Sequence, residues 1–152
     1  AKEICRRRKE KRFDSTVELA EFIENVIPGR RSGKRYRLHT ATKVFQALRI
    51  EVNDELNALK EGLKQAVKVL ETGGRIVIIS YHSLEDRIVK QFFKKLLKPP
   101  AGPEKVLYQN YDEPIVKKLT KKPVTPTEEE IGANPRSRSA KLRAYEKLRE
   151  LK

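Results

Sequence analysis

Residues 73–93, GGRIVIISYHSLEDRIVKQFF, hold the pattern that decides the fold of this chain. The β-branched run from Arg75 to Tyr81 is typical of a strand that is buried on both faces in a parallel sheet. An amphipathic helix follows, and Ser83 is expected to cap it, because serine hydroxyls accept the free N–H groups of a helix start. The side chains predicted to face inward from this helix are Leu84, Ile88, Phe92, Phe93 and Leu96.

The flanking sequence supplies further elements of an α/β fold. Apolar residues recur every three or four positions over residues 40–71, and the break at Asn53-Asp54 predicts two helices there. Short strands are predicted at 115–120 and 139–145. A lone parallel-type strand cannot bury itself, so the sheet looks incomplete. Its open edge also predicts pairing with a second copy of the chain.

The charge balance points to an anionic partner. The 152 residues include 35 Lys and Arg against 21 Asp and Glu, which gives a net charge of +14 and a pI near 10.0. Each cation placed on a phosphate releases a counterion, so nucleic acid is the first expectation. An anionic membrane surface and a merely ionic soluble surface are the alternatives. The single cysteine predicts no disulfide or cysteine-based metal site, and we expect a cytoplasmic location with no membrane span.

The junction between strand and helix carries the candidate substrate-binding residues. Ligands of open α/β sheets bind beyond the carboxyl ends of strands, where Ser80, His82 and Ser83 stand. A purely structural interpretation makes Ser83 a cap and His82 a packed loop residue. A catalytic pair of His82 and Asp86 is a further alternative, although no nucleophile motif stands beside it. Catalytic residues therefore stay unassigned.

Two basic segments are candidates for RNA contact. The segment GRRSGKRYR, residues 29–37, combines cations with one aromatic ring, which suits single-stranded RNA. The segment NPRSRSAKLR, residues 134–143, interleaves arginine with serine, and both bind phosphates. A linker and a solvated strand edge are the respective alternatives. The RNA-binding candidates are Arg30, Arg31, Lys34, Arg35, Tyr36, Arg136, Arg138 and Arg143.

Three motifs together resemble one family. HTATKVFQALRIEVNDEL (39–56), the stretch 73–93 and NPRSRSAKLR (134–143) are similar, in order and spacing, to bacterial methyltransferases. That family modifies the exocyclic amino nitrogen of a cytidine in small-subunit ribosomal RNA. The resemblance covers nearly the whole chain and is loosest at 99–114.

The resemblance implies a partial Rossmann-like methyltransferase domain that uses S-adenosylmethionine. Residues 1–38 would end an inserted helical RNA-recognition domain, and residues 39–152 would be the C-terminal part of the Rossmann-like domain. The donor-binding turn is expected upstream of Ala1, because no glycine-rich turn follows a strand in this sequence. We therefore expect the chain to be a fragment, inactive by itself.

The resemblance also suggests roles for the candidate residues. Ser80, His82 and Ser83 would shape a cytidine pocket, while Arg87, Arg136, Arg138 and Arg143 would hold flanking phosphates. A stand-alone basic RNA-binding module without catalysis is the alternative function. A DNA-binding helical protein has only the charge in its favour, since helix-turn-helix geometry is not evident.

Overall fold

The computed structural model describes residues 1–27, 40–97 and 113–150. The predicted RNA-binding loop at 29–37 lies outside these residues, as does most of the irregular stretch at 99–114. The structure divides into two compact units, and each is described by itself.

The first unit, residues 1–53, contains three described helices, α1 (Lys2–Glu10), α2 (Thr16–Val26) and α3 (Thr42–Val52). Helix α2 begins where the Ser15 hydroxyl accepts the N–H of Glu18 at 3.1 Å. This unit ends at Asn53, whereas the domain boundary predicted from the sequence lies between residues 38 and 39. That boundary stays a prediction, since both residues fall outside the described ranges.

The second unit, residues 54–152, is a mixed α/β structure. Its first residue, Asp54, takes a left-handed φ of 50°, so the chain breaks between two helices, as the sequence predicts. Its elements are α4 (Glu55–Val69), β1 (Arg75–Ser80), α5 (Ser83–Leu97), β2 (Val116–Lys118), α6 (Glu128–Ala133), a 3-10 helix (Pro135–Ser139) and β3 (Lys141–Lys147). The strand predicted to begin at residue 139 begins later, because the preceding residues form the 3-10 helix.

The three strands form one sheet in the order β1-β3-β2. Strand β3 pairs antiparallel with both neighbours, so β1 and β2 run parallel to each other with β3 between them. Helix α5 connects these two parallel strands and packs against the sheet. Among the described residues no strand pairs with the outer edge of β1. The predicted pairing of that edge with a second copy stays a prediction.

Helices α4 and α5 cover one face of the sheet. Leu63 and Val67 of α4 pack with Val89 and Phe93 of α5, and the Phe93 ring stacks on Tyr145 of β3 with centroids 3.8 Å apart. The burial of this apolar surface is the main favourable term in the stability of the unit.

The prediction that β1 is buried on both faces is wrong for the described residues. Val77 and Ile79 point away from the helices and are 58% and 51% exposed. In α5, Leu84 is likewise exposed although it was expected to face inward, and Val89 takes the buried position instead. We call the face that carries Val77 and Ile79 the open face.

Candidate functional site

The turn between β1 and α5 is held by a reciprocal helix cap. The carboxylate of Glu85 accepts the backbone N–H groups of Tyr81 and His82 through Oε2, at 2.8 and 3.1 Å. In return, Nδ1 of His82 accepts the N–H of Glu85 at 3.4 Å. The capping residue is therefore His82, and the expectation that Ser83 caps α5 is wrong because Ser83 is already the first helical residue.

The cap determines what the His82 ring can do. Nδ1 is engaged as an acceptor, so a neutral ring carries its proton on Nε2. Nε2 is buried and lies 3.3 Å from Oε1 of Glu85, without the geometry of a hydrogen bond. Among the described residues, Nε2 of His82 therefore has no hydrogen-bond partner.

One residue further on, Asp86 ties the first turn of α5 to β3. Its Oδ1 accepts from Nε of Arg143 at 2.7 Å, and its Oδ2 accepts from a terminal nitrogen of the same guanidinium at 3.2 Å. The side chains of Arg143 and Asp86 are only 8% and 14% exposed. Lys141 approaches Oδ2 to 3.8 Å. A bidentate ion pair of this kind fixes the relative orientation of the two side chains as well as the distance between them.

The hydrogen bond between Arg143 and Asp86 shifts the pKa values of both groups. The hydrogen bond from Arg143 holds the pKa of Asp86 below its usual value, against the opposing effect of burial. The same hydrogen bond raises the pKa of Arg143. Burial raises the pKa of Tyr145, which lies beside Arg143 on the covered face. Asp86 is therefore an ionised structural acceptor at neutral pH.

These contacts separate the two residues of the alternative catalytic pair. The side chain of Asp86 is engaged by Arg143, while that of His82 is engaged by Glu85. Within the described residues, no side-chain hydrogen bond or ion pair joins His82 to Asp86. The structure thus gives no support to a His82–Asp86 dyad.

The other substrate-binding candidates lie close to this turn. Ser80 ends β1 with its side chain on the covered face and is 3% exposed. Ser83 and Arg87 are both exposed, one helical turn apart on α5. The junction therefore combines one buried hydroxyl with one exposed hydroxyl and a cation.

The RNA-binding candidates of the C-terminal motif divide into two groups. Arg136 and Arg138 project from the 3-10 helix and are exposed, while Ser137 between them is buried and donates to the Asn134 carbonyl at 2.8 Å. Arg143 is buried against Asp86, so its guanidinium already has an anionic partner. The remaining five candidates lie at residues 30–36, outside the described ranges.

Sequence reasoning missed the cap and the ion pair for different reasons. The spacing of His82 and Glu85 matches that of a capping box, but the preferred first residue is serine or threonine. The pair of Asp86 and Arg143 joins residues 57 positions apart, and no local pattern announces it.

The N–H groups of the turn after β1 are already bonded to a carboxylate of this chain. The only described turn that leads directly from a strand into a helix is the one after β1, and there Glu85 already occupies the N–H groups of Tyr81 and His82. A carboxylate in that place repels a second anionic group such as the donor's own carboxylate.

The described residues contain neither a membrane-spanning helix nor a cluster of metal-binding side chains. Among them, no helix is both long enough and apolar enough to cross a membrane. In the same part of the chain, there is no cluster of three or more histidine, cysteine, aspartate or glutamate side chains that could bind a metal ion.

Comparison with known proteins identifies related sequences. The profile of a family described as the MraW methylase family matches residues 1–148. A protein of Carboxydothermus hydrogenoformans named ribosomal RNA small subunit methyltransferase H is 52% identical over 97% of this chain and 47% of its own length. Proteins of the same name from Thermomicrobium roseum and Pelobacter propionicus are 47% and 49% identical, over 97% and 95% of this chain and 44% and 46% of theirs.

These matches confirm the resemblance predicted from the three motifs. The chain spans somewhat less than half the length of these relatives and corresponds to their C-terminal part.

Proposed function

The chain belongs to the MraW methylase family, and from that premise we propose that it contributes the substrate side of an RNA methyltransferase. The reaction transfers a methyl group from S-adenosylmethionine to the exocyclic amino nitrogen of a cytidine in small-subunit ribosomal RNA. The name of the relatives supports small-subunit ribosomal RNA as the substrate. Donor-binding residues are assigned to the sequence that those relatives carry outside the matched region.

The observation that carries this proposal is the His82–Glu85 cap at the carboxyl end of β1. The cap fixes the backbone of a turn in the position where α/β sheets bind ligands. A weakly nucleophilic amine reacts faster when it is held in line with the methyl group, so positioning is the main contribution expected of this region. Ser80, His82 and Ser83 would border the cytidine, and Arg87, Arg136 and Arg138 would bind flanking phosphates.

Arg143 receives a different role from the one its motif predicts. Two of its nitrogens donate to Asp86, so it is proposed to hold α5 against β3 and thereby to position the turn. Any phosphate that it bound would have to compete with a buried carboxylate at 2.7 Å.

The activity is tested in a full-length context. The matched C-terminal part of the Carboxydothermus relative is replaced by this chain, and methyl transfer to unmodified small ribosomal subunits is measured. The expected result is N4-methylcytidine, detected by mass spectrometry of the digested RNA. RNA that stays unmethylated, or that carries the methyl group on another base, contradicts the proposal.

Substitution of His82 separates a substrate role from a structural one. His82→Ala removes both the cap and the ring, whereas His82→Asn restores a side chain that caps helices well. We expect both variants to lose roughly a hundredfold in methyl transfer, with donor affinity unchanged, because the amine is no longer held in place. Full recovery in His82→Asn would show that His82 acts only as a cap.

The alternative is an RNA-binding module without catalysis, which the net charge of +14 favours. It predicts that this chain binds RNA but that the chimaera never methylates it. A chimaera that folds, binds the donor and binds RNA without turnover would establish this alternative.

A further inference from the structure

Helix α5 carries a line of exposed cations that begins beside the candidate site. Arg87, Lys90 and Lys94 follow Ser83 at successive helical turns on one side of the helix, and all three are exposed. We call these three residues the α5 row. We propose that the α5 row binds the sugar–phosphate backbone of single-stranded RNA as the strand leaves the β1–α5 junction, an inference that rests on the proposed function.

None of the three cations of the α5 row forms an ion pair with a described carboxylate, although Lys90 lies near enough to Asp86 to help lower the pKa of that carboxyl. Both acids of α5 are engaged elsewhere, Glu85 in the helix cap and Asp86 with Arg143. Among the described residues, no carboxylate forms an ion pair within 4.0 Å of the row.

Three cations on neighbouring elements do have acidic partners. Lys64 of α4 pairs with Glu61 at 3.0 Å. Lys117 and Arg75 share Glu146, at 2.6 and 3.2 Å. The three members of the α5 row differ from these cations in having no such partner among the described residues.

The backbone that carries the row is rigid. Val89 and Phe93, on the opposite side of α5, are fully buried in the core of the second unit. Neighbouring members of the row lie about 5–6 Å apart at Cβ, a spacing suited to successive phosphates of one strand. The packed helix therefore holds the backbone positions of the three cations in one line, so that binding does not have to order the helix itself.

The composition of the exposed side favours RNA over a membrane surface. Gln91, which lies next to Arg87 and Lys94 on the surface of the helix, is polar and exposed. A helix that lies on a lipid surface needs an apolar side buried among the acyl chains. The apolar side of α5 is already committed to the protein core.

The test uses the complete chain and a single-stranded oligocytidylate. The triple variant Arg87→Gln, Lys90→Gln, Lys94→Gln is compared with a matched control on the neighbouring helix, Lys60→Gln, Lys64→Gln, Lys68→Gln. Both variants lose three exposed cations. A charge-preserving variant, Arg87→Lys, Lys90→Arg, Lys94→Arg, is the rescue, and circular dichroism verifies that each variant is folded.

The dependence of the RNA-binding constant on salt concentration reports the number of phosphate contacts. Each phosphate contact to single-stranded RNA contributes about 0.7 to the slope of log K against log salt, so the row variant should lose about 2 from that slope. We expect its affinity to fall at least tenfold, while the control stays within about twofold of the parent and the rescue variant binds like the parent. Equal weakening of both triple variants, an unchanged row variant, or binding to phosphatidylserine vesicles in preference to RNA would overturn the inference.

The same variants in the chimaera separate this inference from the proposed function. A chimaera that methylates equally well with either triple substitution refutes the row and the phosphate contact proposed for Arg87, while the proposed methyl transfer itself stands. A chimaera that never methylates refutes the proposed function, whereas oligocytidylate binding by the chain still decides the role of the row.

Discussion

The two faces of the sheet are built from similar residues but have opposite environments. On the covered face, Ile76 and Ile78 pack against α4 and α5. On the open face, Val77 and Ile79, their neighbours along the same strand, are more than half exposed. One strand therefore places equally apolar side chains in a core and in solvent.

This difference shows that apolar side chains mark a sheet face as suited to burial. Whether the face is buried depends on which other elements pack against it. Isolated exposed apolar residues are common, but neighbouring ones on one sheet face usually mark a contact surface. The relatives carry more than half of their length outside the matched region. The open face is therefore where this chain and full-length relatives are expected to differ most.

The largest expected effect lies on the covered face, at Phe93. This side chain is fully buried and stacks on Tyr145 with the two ring planes 6° apart. We expect Phe93→Ala to lower the free energy of unfolding of the chain by about 3–5 kcal/mol, because it removes a buried ring and leaves a cavity. Urea denaturation followed by circular dichroism measures this change, and a loss below about 1 kcal/mol would contradict the proposed core.

Much of this face could be predicted from the sequence. The apolar spacing that identifies α4 and α5 and the β-branched run of β1 are local patterns, and the structure confirms these elements. Predicting which residues of α5 are buried was harder. Leu84 lies in the first turn of α5 and is exposed, so the apolar pattern of the helix extends beyond the residues that the core buries.

The site was less accessible to prediction than the fold. His82, Ser80 and Ser83 were placed correctly at the end of a strand, because that inference needs only the order of two elements. Phosphate binding by Arg143 stays a prediction, because its motif gives its chemistry but not its partner. Asp86 is brought to it only by the packing of α5 against β3.

The second largest expected effect concerns the ion pair between Asp86 and Arg143. Asp86→Asn leaves the buried guanidinium of Arg143 without a counter-charge, and the expected cost is about 3 kcal/mol of unfolding free energy. The matched control is Lys141→Gln, since Lys141 approaches the same carboxylate from 3.8 Å and is far more exposed. We expect the control to cost less than about 1 kcal/mol. Equal costs for the two substitutions would show that Asp86 acts through general charge and not through the pair.

The pair also predicts a pH dependence with a definite sign. The pKa of Asp86 is lower in the folded chain than its usual 3.8, so the folded state favours the ionised carboxylate. This contribution is fully present above the unfolded pKa and is lost as the pH falls through the lower folded pKa. Below about pH 4, the parent should therefore lose stability more steeply than Asp86→Asn. Identical acid profiles would exclude Asp86 as a source of the pH dependence.

The smallest expected effect contrasts two adjacent isoleucines on opposite faces of β1. Ile78→Thr places a hydroxyl on the covered face and should cost about 1–2 kcal/mol of unfolding free energy, whereas Ile79→Thr on the open face should change it by less than about 0.5 kcal/mol. Both substitutions keep a β-branched side chain, so strand propensity is matched.

Measuring the free energy of unfolding of both variants at several protein concentrations tests whether a second copy covers the open face. If the cost at Ile79 approaches that at Ile78 and rises with concentration, a second copy covers the open face in solution, since association stabilises the folded state by mass action. A cost at Ile79 that is large at every concentration would show that this chain covers the face itself, and the contrast between the two faces would then be wrong.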